Sequence, residues 1–591
     1  MTPESARRTP QRTPHKEYHC HFDALEAVGK RPRQPIPRPT EPLSWELANH
    51  CKAYLEANQY ASGYSFLHTL LTAATSISVP AKPYIAYLAP ATQLALASTL
   101  IVYPSITTRA ESADEIKGAD AALKYLRGVQ ATIKPDHQIL RAAFKFADER
   151  TRRRPNRNCE GSQSPGANND IERLSGAAAN TQSLWYRADD FWQVVGWAFN
   201  CAVVHRKRWD RWSLWLEVML DFAEADWQER VRCSRVEGAD KEEILMGSLL
   251  WQYVSSTDPS NRNNRRRIVK AVLAMADSHS STDFPEIWPK ETHELKPRKD
   301  DDKQPLATID IENNYFGDYE KDQEDTIMHD VQIKATRKSR SKLSSACPPE
   351  QTSTLVALTV EEAIQRLGGM DAIQLRQRII ALLEQVACHL PSHFTTFEDL
   401  LDGFTEDLVR LPTLIFSAIL STFKMPGLSS LALNANLLLP LVSEQLLNYT
   451  TTTPAQDHFE SLWLPLRATA QSFATNAKVS LLLEHMFMYM MDQDAFQATD
   501  DLRQAVEAGV QARQTVYGSG KGKKGNNEEE KLSREVMRLS SSRLFGLLEV
   551  LELAAGKTPQ RRETKSKTLP LDTSIGSELS SPPESDTDED G

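Results

Sequence analysis

The sequence predicts an all-α protein, an irregular α-solenoid of HEAT or tetratricopeptide type with disordered tails and two long linkers. Three observations carry that expectation. Apolar residues recur at helical spacing in segments of about 12 to 20 residues, many bounded by capping or breaking residues. Strand signals are scarce, since no Asn-Gly or Asp-Gly turn joins two alternating runs and the β-branched cluster from Thr99 to Tyr103 sits inside a helical period. Short turns separate the helical segments, as in a solenoid, although no fixed repeat with a signature is present.

Residues 1–42 read as a basic disordered arm. Their first forty positions hold eight Lys or Arg against four Asp or Glu, with prolines scattered so that no helix survives. A first helical block spans 43–149. It is broken at Pro80 and Pro83, runs again from Ala91 to Pro104, and restarts with Asp114 as the expected cap. Residues 150–182 open on arginines mixed with Pro, Gly, Ser and Asn and mark a linker. A tryptophan-rich helical block covers 183–288. An acidic disordered linker follows over 289–355, too long for a loop inside a compact domain.

The third helical block, 356–517, begins with a capping-box spacing from Thr359 to Glu362, and its first helix stops at Gly368 and Gly369. Asp371 restarts it. Ile373, Leu375, Ile379, Ile380, Leu383 and Val386 then track one broad face until Pro391. A flexible linker over 518–530, a helix over 531–556 ending at Gly556, and a disordered tail over 557–591 complete the chain.

Composition narrows the function classes. The 591 residues, 66.5 kDa, are 40% hydrophobic and 25% charged, apolar enough for several cores. A net charge of −10 and a pI near 5.9 exclude a protein that coats nucleic acid with its whole surface. Seven cysteines without a Cys-x-x-Cys pair point to a reducing compartment, and no secretory leader is seen. Residues 81–108 carry one charge, Lys82, and residues 425–443 carry none. Pro83 and Pro90 interrupt the first, and Pro426, Gly427, Asn434, Asn436 and Pro440 the second, so buried helices rather than membrane spans are expected.

Seven of the eleven tryptophans fall between Trp185 and Trp227, the strongest local feature of the chain. With Asp190 as a cap, Trp192, Val195, Phe199 and Val203 share one helix face. A second helix presents Trp212, Trp215, Leu216, Met219 and Phe222, and His205 to Asp210 form the turn of an αα-hairpin. Arg206, Lys207, Arg208 and Arg211 interleave with Trp209 and Trp212, a mixture that pairs phosphates and stacks bases or forms a protein-binding hot spot. The competing structural account makes the tryptophans core and the basic turn a solvated edge, and the helical spacing favours it.

Catalytic, cofactor and metal signatures fail. The run from Gly518 to Gly525 lacks the phosphate-loop spacing, and His389 and His393 flank Pro391, which breaks the helix that a metal pair needs. The tails say more. Thr9-Pro10-Gln11-Arg12, Thr13-Pro14-His15-Lys16 and Thr558-Pro559-Gln560-Arg561 match the Ser/Thr-Pro-x-Lys/Arg consensus of cyclin-dependent kinases. Basic clusters at Arg7 with Arg8, at Arg152, Arg153 and Arg154, at Arg337 to Lys342, and around Arg561 and Arg562 resemble nuclear import patches. Ile309, Ile311, Tyr315 and Phe316 stand isolated in the acidic linker, where folding on a partner's groove or sheet edge would give them a role, and packing back onto this protein's own solenoid is the alternative.

These features point to a non-enzymatic nuclear scaffold or adaptor with protein partners in a multisubunit complex, serving chromosome maintenance or cell-cycle events. No cofactor is expected. The alternative is an RNA- or DNA-binding factor of ribosome or transcript processing that uses the Trp and basic hairpin directly. Exposure of Trp209 and Trp212 separates the two.

Overall fold

A computed structural model describes residues 37–79, 81–147, 173–236, 240–255, 262–293, 359–422, 427–442, 455–515 and 527–557. The described chain is all-α, with twenty-one α-helices and a single pair of three-residue strands. Those strands, β1 (Thr40–Pro42) and β2 (Ala86–Leu88), run parallel with Glu41 beside Tyr87. They are too short to show as alternation in the sequence.

Near the N-terminus, α1 (Trp45–Glu56), α2 (Tyr60–Thr72), α3 (Ala91–Val102), α4 (Ala113–Thr132) and α5 (Gln138–Ala143) pack together, with α4 lying along both α2 and α3. α3 contains the Thr99 to Val102 cluster, so burial on every side overrides the β preference of those residues. The cap of α4 is Ser112 rather than Asp114. Its hydroxyl accepts from the Glu115 amide while the Glu115 carboxylate accepts from the Ser112 amide, a complete capping box.

The second stretch holds α6 (Leu184–Arg187), α7 (Phe191–Val204), α8 (Arg206–Ser234), α9 (Lys241–Met246), α10 (Leu249–Val254), α11 (Arg262–Val272) and α12 (Ser278–Asp283). With 29 residues, α8 is about 43 Å long. It touches α3 and α4 on one side, α7, α9 and α10 on another, and α14 (Met370–His389) beyond. One pillar therefore joins all three helical stretches, and the buried apolar side chains form one continuous core.

Before α14 comes α13 (Val360–Arg366), capped by Thr359, whose hydroxyl accepts from the Glu362 amide. Gly368 and Gly369 both have φ +89°, a backbone that favours glycine. The predicted stripe from Ile373 to Val386 is buried throughout. α15 (Phe397–Leu408), α16 (Thr413–Thr422) and α17 (Gly427–Leu438) follow. α18 (Gln456–His458) continues as a π-helical turn, Phe459–Trp463, and α19 (Phe473–Asp492) and α20 (Asp500–Gln514) lead to α21 (Asn527–Ala554). α21 packs on α16 and α19 and is fastened by forked ion pairs, Arg543 to Glu484 and Arg503 to Glu552. Among the described residues no helix is long and apolar enough to cross a membrane.

Several expectations shift at their edges. Residues 173–182, expected within a linker, form turns that bury Leu174 and Ala178. Glu291, expected in the acidic linker, is buried, as is Arg38, expected in the disordered arm. The hairpin turn is shorter than His205 to Asp210: α8 already begins at Arg206, leaving His205 alone between the helices. Arg38 and Glu291 are buried because their partners lie far away in sequence, at Tyr84 and Arg208.

Candidate functional site: a buried tryptophan hairpin and an exposed N-terminal face

The hairpin is α7 and α8. Asp190 caps α7 as expected, its carboxylate accepting from the Gln193 amide at 2.7 Å. Every residue of α7 from Phe191 to Ala202 is buried, the pattern of a helix enclosed on all sides. Gly196 lets the Phe284 ring approach so closely that a Cβ would lie 2.3 Å from it. Asn200 joins α7 to α12 by donating to the Ser280 carbonyl at 3.1 Å and accepting from the Ser280 hydroxyl at 2.9 Å and the Ala276 amide at 2.8 Å.

On α8, Trp209, Trp212, Trp215 and Trp227 are all buried, with Trp209 and Trp212 at most 1% exposed. Trp212 stacks on Trp288 at 6.0 Å and meets Trp215 edge-on at 5.9 Å, while Trp209 lies against Phe199. Rings so enclosed offer no face to a base. The expectation that Trp209 and Trp212 contact a partner is therefore corrected, because the helical spacing that places them on one stripe also turns that stripe inward.

Arg208 is corrected for the same reason. Its guanidinium is buried, forms an ion pair with the buried Glu291 carboxylate, donates to the Val102 carbonyl at 2.8 Å and to the Thr108 hydroxyl at 3.3 Å, and lies over the Trp212 ring. Glu291 also accepts from the Ile287 amide at 3.0 Å. Burial holds its carboxyl above the usual carboxylate range despite the pull of Arg208. Arg206 remains exposed but faces Asp210 at 3.5 Å and Asp371 at 3.7 Å, and Arg211 pairs with Asp120 at 2.7 Å. The apparent positive patch is thus met by carboxylates from within the protein, which a phosphate would have to displace. Beside it lies an open cleft of about 500 Å³ lined by Thr107, Thr108, Lys207, Asp210 and Arg211, with both signs of charge.

Arg208 belongs to a wider pattern that the sequence did not disclose. Val102 ends α3, so its carbonyl is one that the helix leaves unpaired, at the negative end of the dipole. Arg376 does the same for α11, donating to the Val272 carbonyl at 2.8 Å and the Ala274 carbonyl at 2.6 Å, with its guanidinium 4.1 Å from the Phe199 ring. Lys478 reaches the Val409 carbonyl at the end of α15 at 2.8 Å, and Arg513 reaches Leu464 and Leu466 beyond the π-helical turn at 2.9 and 2.8 Å. Burial alone lowers the Arg376 and Arg513 guanidiniums to about 9 and about 10, and burial outweighs the pull of Glu529 to lower the Lys478 ammonium to about 8. These cations are structural. No local motif announces them, since each partner carbonyl comes from a different helix.

Arg38 closes the same kind of bond at the end of α2, donating to the Ala73 carbonyl at 2.8 Å and to the Thr75 hydroxyl at 2.8 Å. It also donates to the Tyr84 carbonyl at 2.9 Å and the Ile85 carbonyl at 3.3 Å. Arg38 thus holds the segment from Thr75 to Tyr87 at Thr75, Tyr84 and Ile85. On its outer side Ile77, Val79, Tyr84, Ile85 and Tyr87 are all exposed, and Trp45, three residues beyond β1, is 60% exposed. No strand among the described residues lies on the far side of β2.

The remaining predicted positions divide simply. Thr9, Thr13, Arg152, Arg153, Arg154, Ile309, Ile311, Tyr315, Phe316, Thr558, Arg561 and Arg562 lie outside the described residues. His389 and His393 do not converge: His389 lies 2.8 Å from the Gln385 carbonyl and His393 2.9 Å from the Glu242 carboxylate. Among the described residues no cluster of His, Cys, Asp and Glu could hold a metal. No protein-family model matches the chain, and no curated protein matches it in sequence.

Proposed function

We propose that this chain is a non-enzymatic scaffold or adaptor of irregular α-solenoid type, acting in the nucleus in chromosome maintenance or cell-cycle events within a multisubunit complex. The observation that carries the protein-binding reading is the run of exposed apolar side chains between residues 77 and 87, where Arg38 donates to the Tyr84 and Ile85 carbonyls. Clustered exposed apolar side chains support an interaction site. The solenoid description draws on neighbours in sequence that pack on one another, α1 on α2, α3 on α4, α7 on α8 and α14 on α15. The nuclear assignment rests on the four basic clusters in the sequence.

Thr9, Thr13 and Thr558 are the proposed cyclin-dependent kinase sites. Each phosphate adds about −1.5 to −2 charges. Two of them would cancel most of the positive charge on the first sixteen residues, where four Lys or Arg face one Glu. Affinity purification with mass spectrometry tests the reading. Recovery of a defined chromosome complex supports it, and recovery of ribosome-assembly proteins alone overturns it. Phosphopeptide mapping through a synchronised culture should find the three threonines modified in mitosis; unmodified threonines would remove the regulatory part.

A further inference from the structure

α21 carries two apolar faces. The one turned to the body holds the buried Val536, Met537, Leu544 and Leu548, where the helix packs on α16 and α19. On the other, Leu539, Val550 and Leu553 are 42%, 57% and 60% exposed. At 3.6 residues per turn these three fall with Gly546 within an arc of about 60°, centred about 150° from the buried face. Apolar positions repeating in this way form the seam along which one helix receives another. Gly546 is a second, independent observation. It stands in the interior of a 28-residue helix, where glycine is weaker than alanine. A Cβ there would meet nothing within 4 Å, so no contact inside the described chain calls for glycine. Bare backbone in the middle of an exposed apolar seam suits a close crossing with another helix.

We infer that α21 pairs antiparallel with α21 of a second copy of this chain, through Leu539, Gly546, Val550 and Leu553, independently of the N-terminal face. The seam is complementary to itself in that direction. A two-fold axis perpendicular to the helix that sets Leu539 against Val550 of the second copy repeats the contact with the roles exchanged. The same axis brings Arg538 within about 3 Å, measured along the helix, of Glu549 of the second copy on the same flank of the seam. Opposite charges therefore meet twice beside the apolar contact.

Both charges are available for that contact. Among the described residues Glu549 makes no ion pair. Arg538 pairs with Glu535 on the open surface, exposed on both sides, an arrangement that contributes little and is readily shared. The seam from Glu535 to Leu553 is about 27 Å long. That is short of a standard interface, so the dimer belongs to the weak class that forms and parts at micromolar concentration.

Sedimentation velocity on the full chain should show a monomer–dimer equilibrium with a dissociation constant of the order of 10 µM. Val550→Asp with Leu553→Asp should weaken it about tenfold or more and leave the unfolding midpoint unchanged, since both side chains are exposed in the single copy. Mild oxidation of a chain carrying Leu539→Cys and Val550→Cys reads the direction. Those positions lie about 16 Å apart on one helix, too far to close within a copy, so a disulfide between them, mapped by peptide mass spectrometry, joins two copies. The double variant should give that crosslinked dimer, and a chain with Leu539→Cys alone should give none through position 539. A chain that stays monomeric at about 100 µM, or a dimer indifferent to the two aspartates, would overturn the proposal. So would crosslinks from position 539 to position 539, the mark of a parallel pair.

Discussion

Replacing Arg208 by Met removes the buried cation beside the hairpin turn and leaves its partner behind. The Glu291 carboxylate is then buried without its counter-charge, and the Val102 carbonyl loses its donor. Breaking one side of a buried ion pair costs about 3 to 5 kcal/mol. The lost bond to Val102 is included in that range, since a single unsatisfied carbonyl accounts for about 1 kcal/mol or somewhat more. The sign of the pH dependence follows from Glu291. Its folded carboxyl already titrates above the unfolded value because of burial, and losing Arg208 raises it further. A carboxyl raised on folding contributes stability that is present below the unfolded value and lost as pH rises through the folded one. The deficit of Arg208→Met should therefore be largest above neutrality and shrink on acidification. Urea denaturation followed by tryptophan fluorescence reads it directly, since Trp212 and Trp288 stack beside the pair. Adding Glu291→Gln should recover most of the loss at neutral pH. A deficit below about 1 kcal/mol, the range of exposed ion pairs, would refute the internal role of Arg208. A deficit that grows on acidification would refute the burial argument for Glu291.

Three further outcomes are expected. Trp215→Ala should cost about 3 to 5 kcal/mol in the same assay, since the ring is fully buried; a value near zero would mean that the hairpin is not core. Gly509→Ala should destabilise by about 1 to 3 kcal/mol, because a Cβ there would lie 1.9 Å from the Leu464 carbonyl oxygen; an unchanged unfolding midpoint would contradict the close passage of α20 over that turn. Lys478, lowered on folding to about 8 from an ordinary value of 10.5, gives stability that is fully present above the ordinary value and lost as pH falls through about 8. Lys478→Met should flatten that slope between pH 8 and 10.5, and an identical pH profile in the variant would sink the assignment.

What the sequence disclosed and what it withheld follow from the range of the interactions. The all-α class, the cap at Asp190, the capping residue Thr359, the stop at Gly368 and Gly369 and the inward stripe of α14 depend on neighbours within a few positions, and all appear where expected. Misplacing the start of α4 was a local error: Ser112 and Glu115 carry the capping-box spacing that Asp114 obscured. The reading of Arg208 failed for a different reason. Its carboxylate partner lies 83 residues away and its carbonyl partner 106 residues back, and no local period separates an arginine clamping a buried helix end from one facing solvent. The same holds for Arg376 and Arg513, whose acceptors come from other helices. The strand pair and the exposed face above it were hidden too, since a parallel pair of three residues leaves no alternation long enough to register.

The central claim is that partners meet the N-terminal apolar face while the basic hairpin serves the interior. Quantitative partner recovery from three full-length chains tests it most directly: the natural sequence, Ile77→Asp with Ile85→Asp, and Arg206→Glu with Lys207→Glu. Partner recovery should fall about tenfold or more with the first pair, a loss of about 1.4 kcal/mol in binding, and stay unchanged with the second. Loss of partners or of bound nucleic acid with Arg206→Glu and Lys207→Glu, alongside full recovery from the isoleucine variant, would contradict the account.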